Sequence, residues 1–412
     1  MKPKFLLLLL LLCSTMLAGA QFVNGELYLE INLTASPQLT ITPKGKNTNI
    51  TVAEKDGLIS RKFESSITIN IMNPETLVHY AILDFTEVVY KAKEDENAVV
   101  RDFFAWENSR LKIKKELQHF LPESFTSEEE AKQYALKQGI PIDKIKEVQV
   151  LNSTVQIQDA TGNICYMETP LKIHSEAELS FNSDSYAYSG DFILKTVKKK
   201  IVLNQFLPLE NYLAGVVQNE IGDNAPAEAL KAQIVAARTQ ALNLLLNNKH
   251  KADGYDLCNS THCQVYRGKY LLNEQILQAI YECSSEVLFF NGNLAETTYH
   301  SCCGGKTEAA DIIWNGKPIN YLKGVSCIIK VNSYNLSKEK DAREWIDKYL
   351  AEGEMSSWER GALSWNKSIS HNQLATNAGL TSINRIEIIQ RGYSGRIPKI
   401  KLIGNHTIFL TS

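Results

Sequence analysis

The sequence predicts an α+β protein: a mixed domain of short helices packed on antiparallel strands, preceded by a β-rich N-terminal region that carries a small α/β insert. Three observations predict it. Runs such as "ELYLEIN" from Glu26 and "SITINIM" from Ser66 alternate apolar and polar residues with the period of half-buried strands. Between Pro208 and Leu246 the apolar residues recur at helical spacing instead. The chain has 412 residues, 44% of them hydrophobic and 22% charged, which is ordinary for folded protein but more than one core usually organises. The expected organisation is a leader over 1–20, a β-rich region over 21–187 with the insert at about 90–185, and a second domain over 188–412.

Lys2 and Lys4 precede an unbroken apolar run from Leu6 to Leu12 and a small-x-small site at Ala18-Gly19-Ala20, the pattern of a secretory signal peptide. Leu12 stands before Cys13 where a lipid-attachment site needs a small residue, so a cleaved chain starting near Gln21 is expected. No later segment reaches the ~18 apolar residues of a membrane span. With 44 basic and 46 acidic residues the chain lacks the positive excess that draws proteins to nucleic acid or anionic membranes.

"SEEEAKQYALKQGI" opens with a capping pattern at Ser127 and predicts a helix over Ser127–Gln138; it reads first as a plain surface helix and only weakly resembles the helical part of small SPOR modules. "YSGDFILKTV" and "KKKIVLN" read as a strand pair feeding a helix that Pro208 opens. On that helix Leu209, Leu213, Val216 and Glu220 fall on one stripe, so Glu220 continues the apolar face. Ile221 and Gly222 end the helix, and Asp223 or Asn224 is expected to cap the next one, over Pro226–Leu246, with Leu230, Ile234, Ala237, Ala241 and Leu245 inward. A shorter helix over Leu272–Glu282, a hairpin turning at Asn291-Gly292 and a closing strand pair around Gly392–Gly395 complete the reading.

Glu220 is the first candidate for chemistry. A carboxyl that loses hydration at the negative end of a helix is suited to donate a proton in general-acid cleavage of a glycosidic bond, and a core glutamate paired to a base would show the same pattern. Lys231 and Arg238 lie one heptad apart on the next helix, placed either to pair with Glu220, to hold substrate, or to sit in solvent.

Seven cysteines follow the leader: Cys165, Cys258, Cys263, Cys283, Cys302, Cys303 and Cys327. In "YDLCNSTHCQVYRG", Cys258, His262 and Cys263, with His250 upstream, suit either a zinc site or a small Cys258–Cys263 disulfide loop. Because neighbours on an extended chain point apart, His250 is expected as third ligand in preference to His262. "TTYHSCCGGKTE" places Tyr299, His300 and Ser301 where loops line clefts, and Cys302 or Cys303 is a candidate partner for Cys327.

Four of these stretches, "LPLENYLAGVVQNEI", "PAEALKAQIVAARTQAL", "YDLCNSTHCQVYRG" and "TTYHSCCGGKTEAADIIW", in that order resemble the stage II sporulation protein D (SpoIID) / LytB amidase-enhancer family, over about residues 188–327. The resemblance implies an exported protein, periplasmic or associated with the cell wall, that acts on peptidoglycan glycan strands as a lytic transglycosylase. The family's catalytic glutamate falls on Glu220 and its basic pair on Lys231 and Arg238. Its zinc cysteines fall on Cys258 and Cys263, and an active-site tyrosine on Tyr299. Cys302-Cys303 departs from an expected Ser-Cys or Ser-Ser, and Cys283 replaces a usual threonine. The alternative reading is a non-catalytic activator that holds glycan for a cell-wall amidase.

Overall fold

The computed structural model describes residues 21–412 apart from 24, 46–47, 55–58, 73–78, 83, 91–111, 120–126, 138, 140, 149–152, 183–184, 223, 269–272, 315, 352–356 and 412. The leader reading and the Asp223 cap lie outside the described residues. Two compact units divide the chain, one up to Thr298 and one from Tyr299. Together they are α+β, rich in strands at the N-terminal side.

A large, mostly antiparallel sheet organises the first unit. Its neighbours run in the order Gln21–Val23, Glu26–Ser36, Lys200–Pro208, Tyr188–Val197, Leu171–Phe181, Gln38–Pro43, Ile67–Ile71, Thr154–Asp159 and Ile164–Glu168. The strand pair Tyr188–Val197 and Lys200–Pro208 turns at Lys198 and Lys199, whose φ of 49° and 59° match the two left-handed positions of a tight hairpin. Lys200–Pro208 is buried almost throughout, so its polar members need partners: Asn204 donates to Glu30 and to the Gly254 carbonyl, and Gln205 donates to the Ser189 carbonyl. Helix α1 (Glu128–Lys137) lies against a two-stranded sheet of His79–Ile82 and Ile145–Val148, with Ala131 and Ala135 buried and its first turn capped by Ser127.

Three further helices close over the sheet. Pro208 leads straight from its strand into α2 (Leu209–Glu220), which buries Leu209, Tyr212, Leu213, Val216 and Val217 and stops before Gly222, whose φ of 82° no longer continues a helix. Helix α3 (Ala227–Leu246) buries the five inward residues that its spacing predicts. Asn224 does not cap it: the N-cap is Pro226, with no side-chain hydrogen bond, because the proline ring fixes φ for helix entry and has no N–H to satisfy. Helix α4 (Glu274–Glu282) is capped by Asn273, which accepts from the amides of Gln275 and Ile276. The hairpin Phe289–Phe290 and Asn293–Leu294 turns at Asn291 and Gly292, with φ of 50° and 79°.

The second unit holds α5 (Ala310–Trp314), α6 (Glu339–Ala351), α7 (Ser357–Leu363) and α8 (His371–Asn377), then a three-stranded antiparallel sheet of Ile383–Gln390, Lys399–Gly404 and Thr407–Thr411. The expected closing pair thus gains a third strand after the Asn405-His406 turn. The Gly392–Gly395 turn clamps the Cys302–Glu308 loop: Ser394 donates backbone and hydroxyl hydrogen bonds to Glu308, and Arg396 donates to the carbonyls of Cys302, Cys303 and Lys306. A Cβ on Gly392 would lie 2.0 Å from the Glu308 carboxylate, so any larger residue there would push that carboxylate off its Ser394 contacts. No helix among the described residues is long and apolar enough to cross a membrane.

Candidate functional site

Glu220 is the last residue of α2 and is half-buried, so the apolar stripe carries it to the rim of the core and not inside. Its Oε1 accepts the backbone N–H of Val265 at 2.9 Å. The segment that supplies this amide is itself fixed in the core. Gln264 accepts from the Tyr212 hydroxyl at 3.0 Å and donates to the Ala237 carbonyl at 3.1 Å, and the buried Tyr266 hydroxyl donates to Gln205 at 2.9 Å. Gly268 ends the segment under the Tyr188 ring, where a Cβ would come within 2.0 Å. The carboxyl is therefore oriented through Oε1 by a rigid amide.

Neither cation of α3 pairs with Glu220. Lys231 reaches Glu228 at 2.9 Å, one turn back, and Glu282 at the end of α4 at 2.6 Å, and hydrogen bonds to these two carboxylates hold its ammonium above the usual lysine range. Arg238 is 2% exposed, one of the largest fully buried side chains. It grips Glu210 of α2 through Nε at 3.0 Å and Nη2 at 2.7 Å, while Nη1 donates to the carbonyls of Cys283 and Glu286 at 3.0 and 3.1 Å. One guanidinium thus ties α2, α3 and the end of α4 together, in the bidentate geometry that lysine cannot supply. Cys283 donates its thiol to the Ala279 carbonyl at 3.0 Å, the backward bond that a threonine hydroxyl makes.

His250, Cys258, His262 and Cys263 come together, with one ligand atom of each within 4.8 Å of the others. His262 and Cys263 both face this centre, contrary to the expectation from an extended chain. The backbone turns here, with the Cys263 amide donating to the Ser260 carbonyl at 3.0 Å, so adjacent side chains do not alternate. The separations of 3.3 Å between His250 Nε2 and Cys263 Sγ and 3.7 Å between Cys258 Sγ and His262 Nδ1 match the ~3.5 Å that tetrahedral zinc–nitrogen and zinc–sulfur bonds require. His250 Nδ1 faces Asp253 at 3.5 Å, the outer partner that orients a ligating imidazole. A hydrogen bond from the Cys263 thiol holds Cys258 well below the usual thiol range. No disulfide joins Cys258 to Cys263 in the structure. The donor set fits a metal ion.

Residues 197–290 match the family described as Stage II sporulation protein. This segment is similar to the stage II sporulation protein D family. A stage II sporulation protein D of Bacillus subtilis is 34% identical over 132 residues, 29% of this chain and 38% of that protein. An uncharacterised Brachyspira hyodysenteriae protein is 34% identical over 150 residues, 36% of this chain and 40% of its own length, and an amidase enhancer of Bacillus subtilis is 37% identical over 103 residues, 25% and 13% respectively. The matches span well under half of these relatives.

The sporulation D segment contains Glu220, Lys231, Arg238 and the four metal-ligand candidates; Tyr299, His300 and Ser301 follow it, in the second unit. There His300 and Ser301 are exposed and Tyr299 half-buried, and no described hydrogen bond joins Ser301 to His300 as a nucleophile pair requires. Desolvation and the nearby Arg396 hold His300 below the usual imidazole range.

A buried polar network anchors the segment to the sheet and has no signature in local spacing. Glu30, 6% exposed, takes Lys195 at 2.5 Å and Asn204 at 2.8 Å, and its amide donates to Asp256 at 2.8 Å, next to the strand that carries Cys258. Burial pushes the Asp256 carboxyl up to about 6. A carboxyl raised in the folded state favours folding below its ordinary range near 3.8 and loses that contribution as pH rises through 6. Asp256→Asn keeps the acceptor for the Glu30 amide, so thermal melts are expected to show a gain on the order of 2 kcal/mol at pH 7.5 that disappears by about pH 4. A gain of equal size at both pH values would contradict the assignment.

Proposed function

We propose that this chain is exported and cleaves the glycan strands of peptidoglycan as a lytic transglycosylase, with Glu220 as the single acid and base. The supporting observation is the half-buried Glu220 carboxyl at the end of α2, held through Oε1 by the Val265 amide inside the segment matched to the sporulation D family. Oε2 donates its proton to the oxygen linking N-acetylmuramic acid to N-acetylglucosamine, and the bond from the muramyl anomeric carbon to that oxygen breaks with positive charge building on the ring. The resulting carboxylate takes the proton of the muramyl 6-hydroxyl, whose oxygen closes on the anomeric carbon as a 1,6-anhydro ring. No water enters, and no second carboxylate at the ~5 to 9 Å separation of hydrolases is needed.

Lys231 and Arg238 act here as positioning residues. Their ion pairs with Glu282 and Glu210 lock the helices that frame the carboxyl. Tyr299, His300 and Ser301 are assigned to substrate contact. His250, Cys258, His262 and Cys263 would hold zinc; four protein ligands make a closed, structural site, which would stiffen the loop that leads to Val265. Metal analysis of the native protein is expected to give one zinc per chain, and Cys258→Ser and Cys263→Ser to lose it with a fall in Tm. A Cys258–Cys263 disulfide in metal-free protein of unchanged Tm would contradict this assignment.

The second reading is a non-catalytic activator of a cell-wall amidase. It is favoured by the absence of Lys231 and Arg238 from Glu220 and by the relative named amidase enhancer. Incubating the protein with peptide-free glycan, and separately with intact peptidoglycan plus an amidase, distinguishes the two. Anhydromuramyl products in the first reaction support cleavage; faster peptide release in the second with none in the first supports activation.

A further inference from the structure

We propose that the second unit is closed by a disulfide between Cys303 and Cys327, and that Cys302 takes no part in it. The pairing rests on backbone geometry within that unit. The stretches around Lys306 and Ser326 form an antiparallel bridge, with the Cys327 amide donating to the Gly305 carbonyl at 2.8 Å and the Thr307 amide to the Val325 carbonyl at 2.9 Å. Gly304 and Gly305, with φ of 65° and 102°, fold the chain back on itself at the end of this bridge, so that the Gly305 amide donates to Cys303 Sγ at 3.3 Å. The fold-back sets the Cys303 sulfur and the Cys327 backbone against the same residue, Gly305. Two anchors keep it there: Trp345 Nε1 donates to the Gly304 carbonyl at 2.9 Å and Arg396 donates to the Cys303 carbonyl at 3.2 Å, with Gly305 packed too close to the Trp345 ring for a Cβ.

Two thiols held this way are prepared for oxidation, and Cys327 is exposed to an oxidant. The proposal rests on export, since an oxidising compartment supplies a thiol–disulfide oxidoreductase. The Cys327 thiolate attacks one sulfur of the oxidoreductase disulfide and forms a mixed disulfide, releasing the other sulfur as thiolate. The Cys303 thiolate then displaces the oxidoreductase, which leaves as a dithiol; the two electrons pass to it, and the protons of Cys303 and Cys327 end on its thiols. The crosslink fixes the root of the loop that carries Tyr299, His300 and Ser301.

The test is non-reducing peptide mapping by mass spectrometry of the full chain after incubation with oxidised glutathione, with alkylation of remaining thiols. The expected result is a Cys303–Cys327 linked peptide, present also in Cys302→Ser and absent in Cys303→Ser, and a fall of roughly 10 °C in the Tm of the second unit on reduction. A Cys302–Cys327 or Cys302–Cys303 link, or alkylation of both Cys303 and Cys327 after oxidation, would overturn the proposal. None of these readouts depends on glycan cleavage, so the fate of the transglycosylase reading leaves the result unaffected.

Discussion

Glu220→Gln is expected to lower the release of anhydromuramyl ends from peptide-free glycan by about 10²- to 10⁴-fold, the contribution of a positioned general acid and base. The substitution keeps the oxygen that accepts the Val265 amide, so α2 and the Cys263–Tyr266 segment have no reason to move. Tm should stay within about 2 °C of the parent, as for a partly exposed substitution that leaves packing intact. What glutamine removes is the proton on the second oxygen and the ability to take one back. A variant that folds, binds glycan and fails to cut it separates chemistry from architecture. If Glu220→Gln cuts as fast as the parent, the acid lies elsewhere.

Arg238→Ala is expected to have the opposite profile, with a loss of about 3–5 kcal/mol in stability before any effect on chemistry. The guanidinium fills a fully buried space and satisfies two carbonyls as well as Glu210. Truncation leaves a cavity, two carbonyls without donors and a carboxylate without its partner. Arg238→Lys should recover only part of the loss, because one ammonium cannot reproduce the bidentate contact to Glu210 and the two carbonyl bonds. Denaturant unfolding of the two variants measures this directly. An Arg238→Ala protein as stable as the parent but inactive would return Arg238 to the reaction itself.

Local features of this chain could be read from sequence, and features built across distance could not. The stripe of α2, the five inward residues of α3 and the turn at Asn291-Gly292 each follow from spacing or backbone preference within a few residues. The partner of Arg238 could not be read this way: Glu210 lies 28 residues upstream in the first turn of another helix, where a helix-dipole role explains it equally well. Lys231 carried a partial signal, since Glu228 precedes it by three residues, but Glu282 joins the pair only through packing of α3 on α4. At His262 and Cys263 a turn defeated the assumption of alternation. Val265 was invisible as a functional residue because its backbone, not its side chain, meets Glu220. Strand pairing between Glu26–Ser36 and Leu257–Cys258, which sets Glu30 against Asp256, was equally beyond local pattern.

In the proposed reaction one carboxyl cuts the glycan without water. Digestion of peptide-free strands in heavy-oxygen water, with mass spectrometry of the new ends, tests it most directly. The expected products are anhydromuramyl ends lighter by one water than reducing ends and free of heavy oxygen, made by the parent and lost in Glu220→Gln. Heavy oxygen at newly formed reducing ends, or strands left uncut by the zinc-loaded protein, would contradict it.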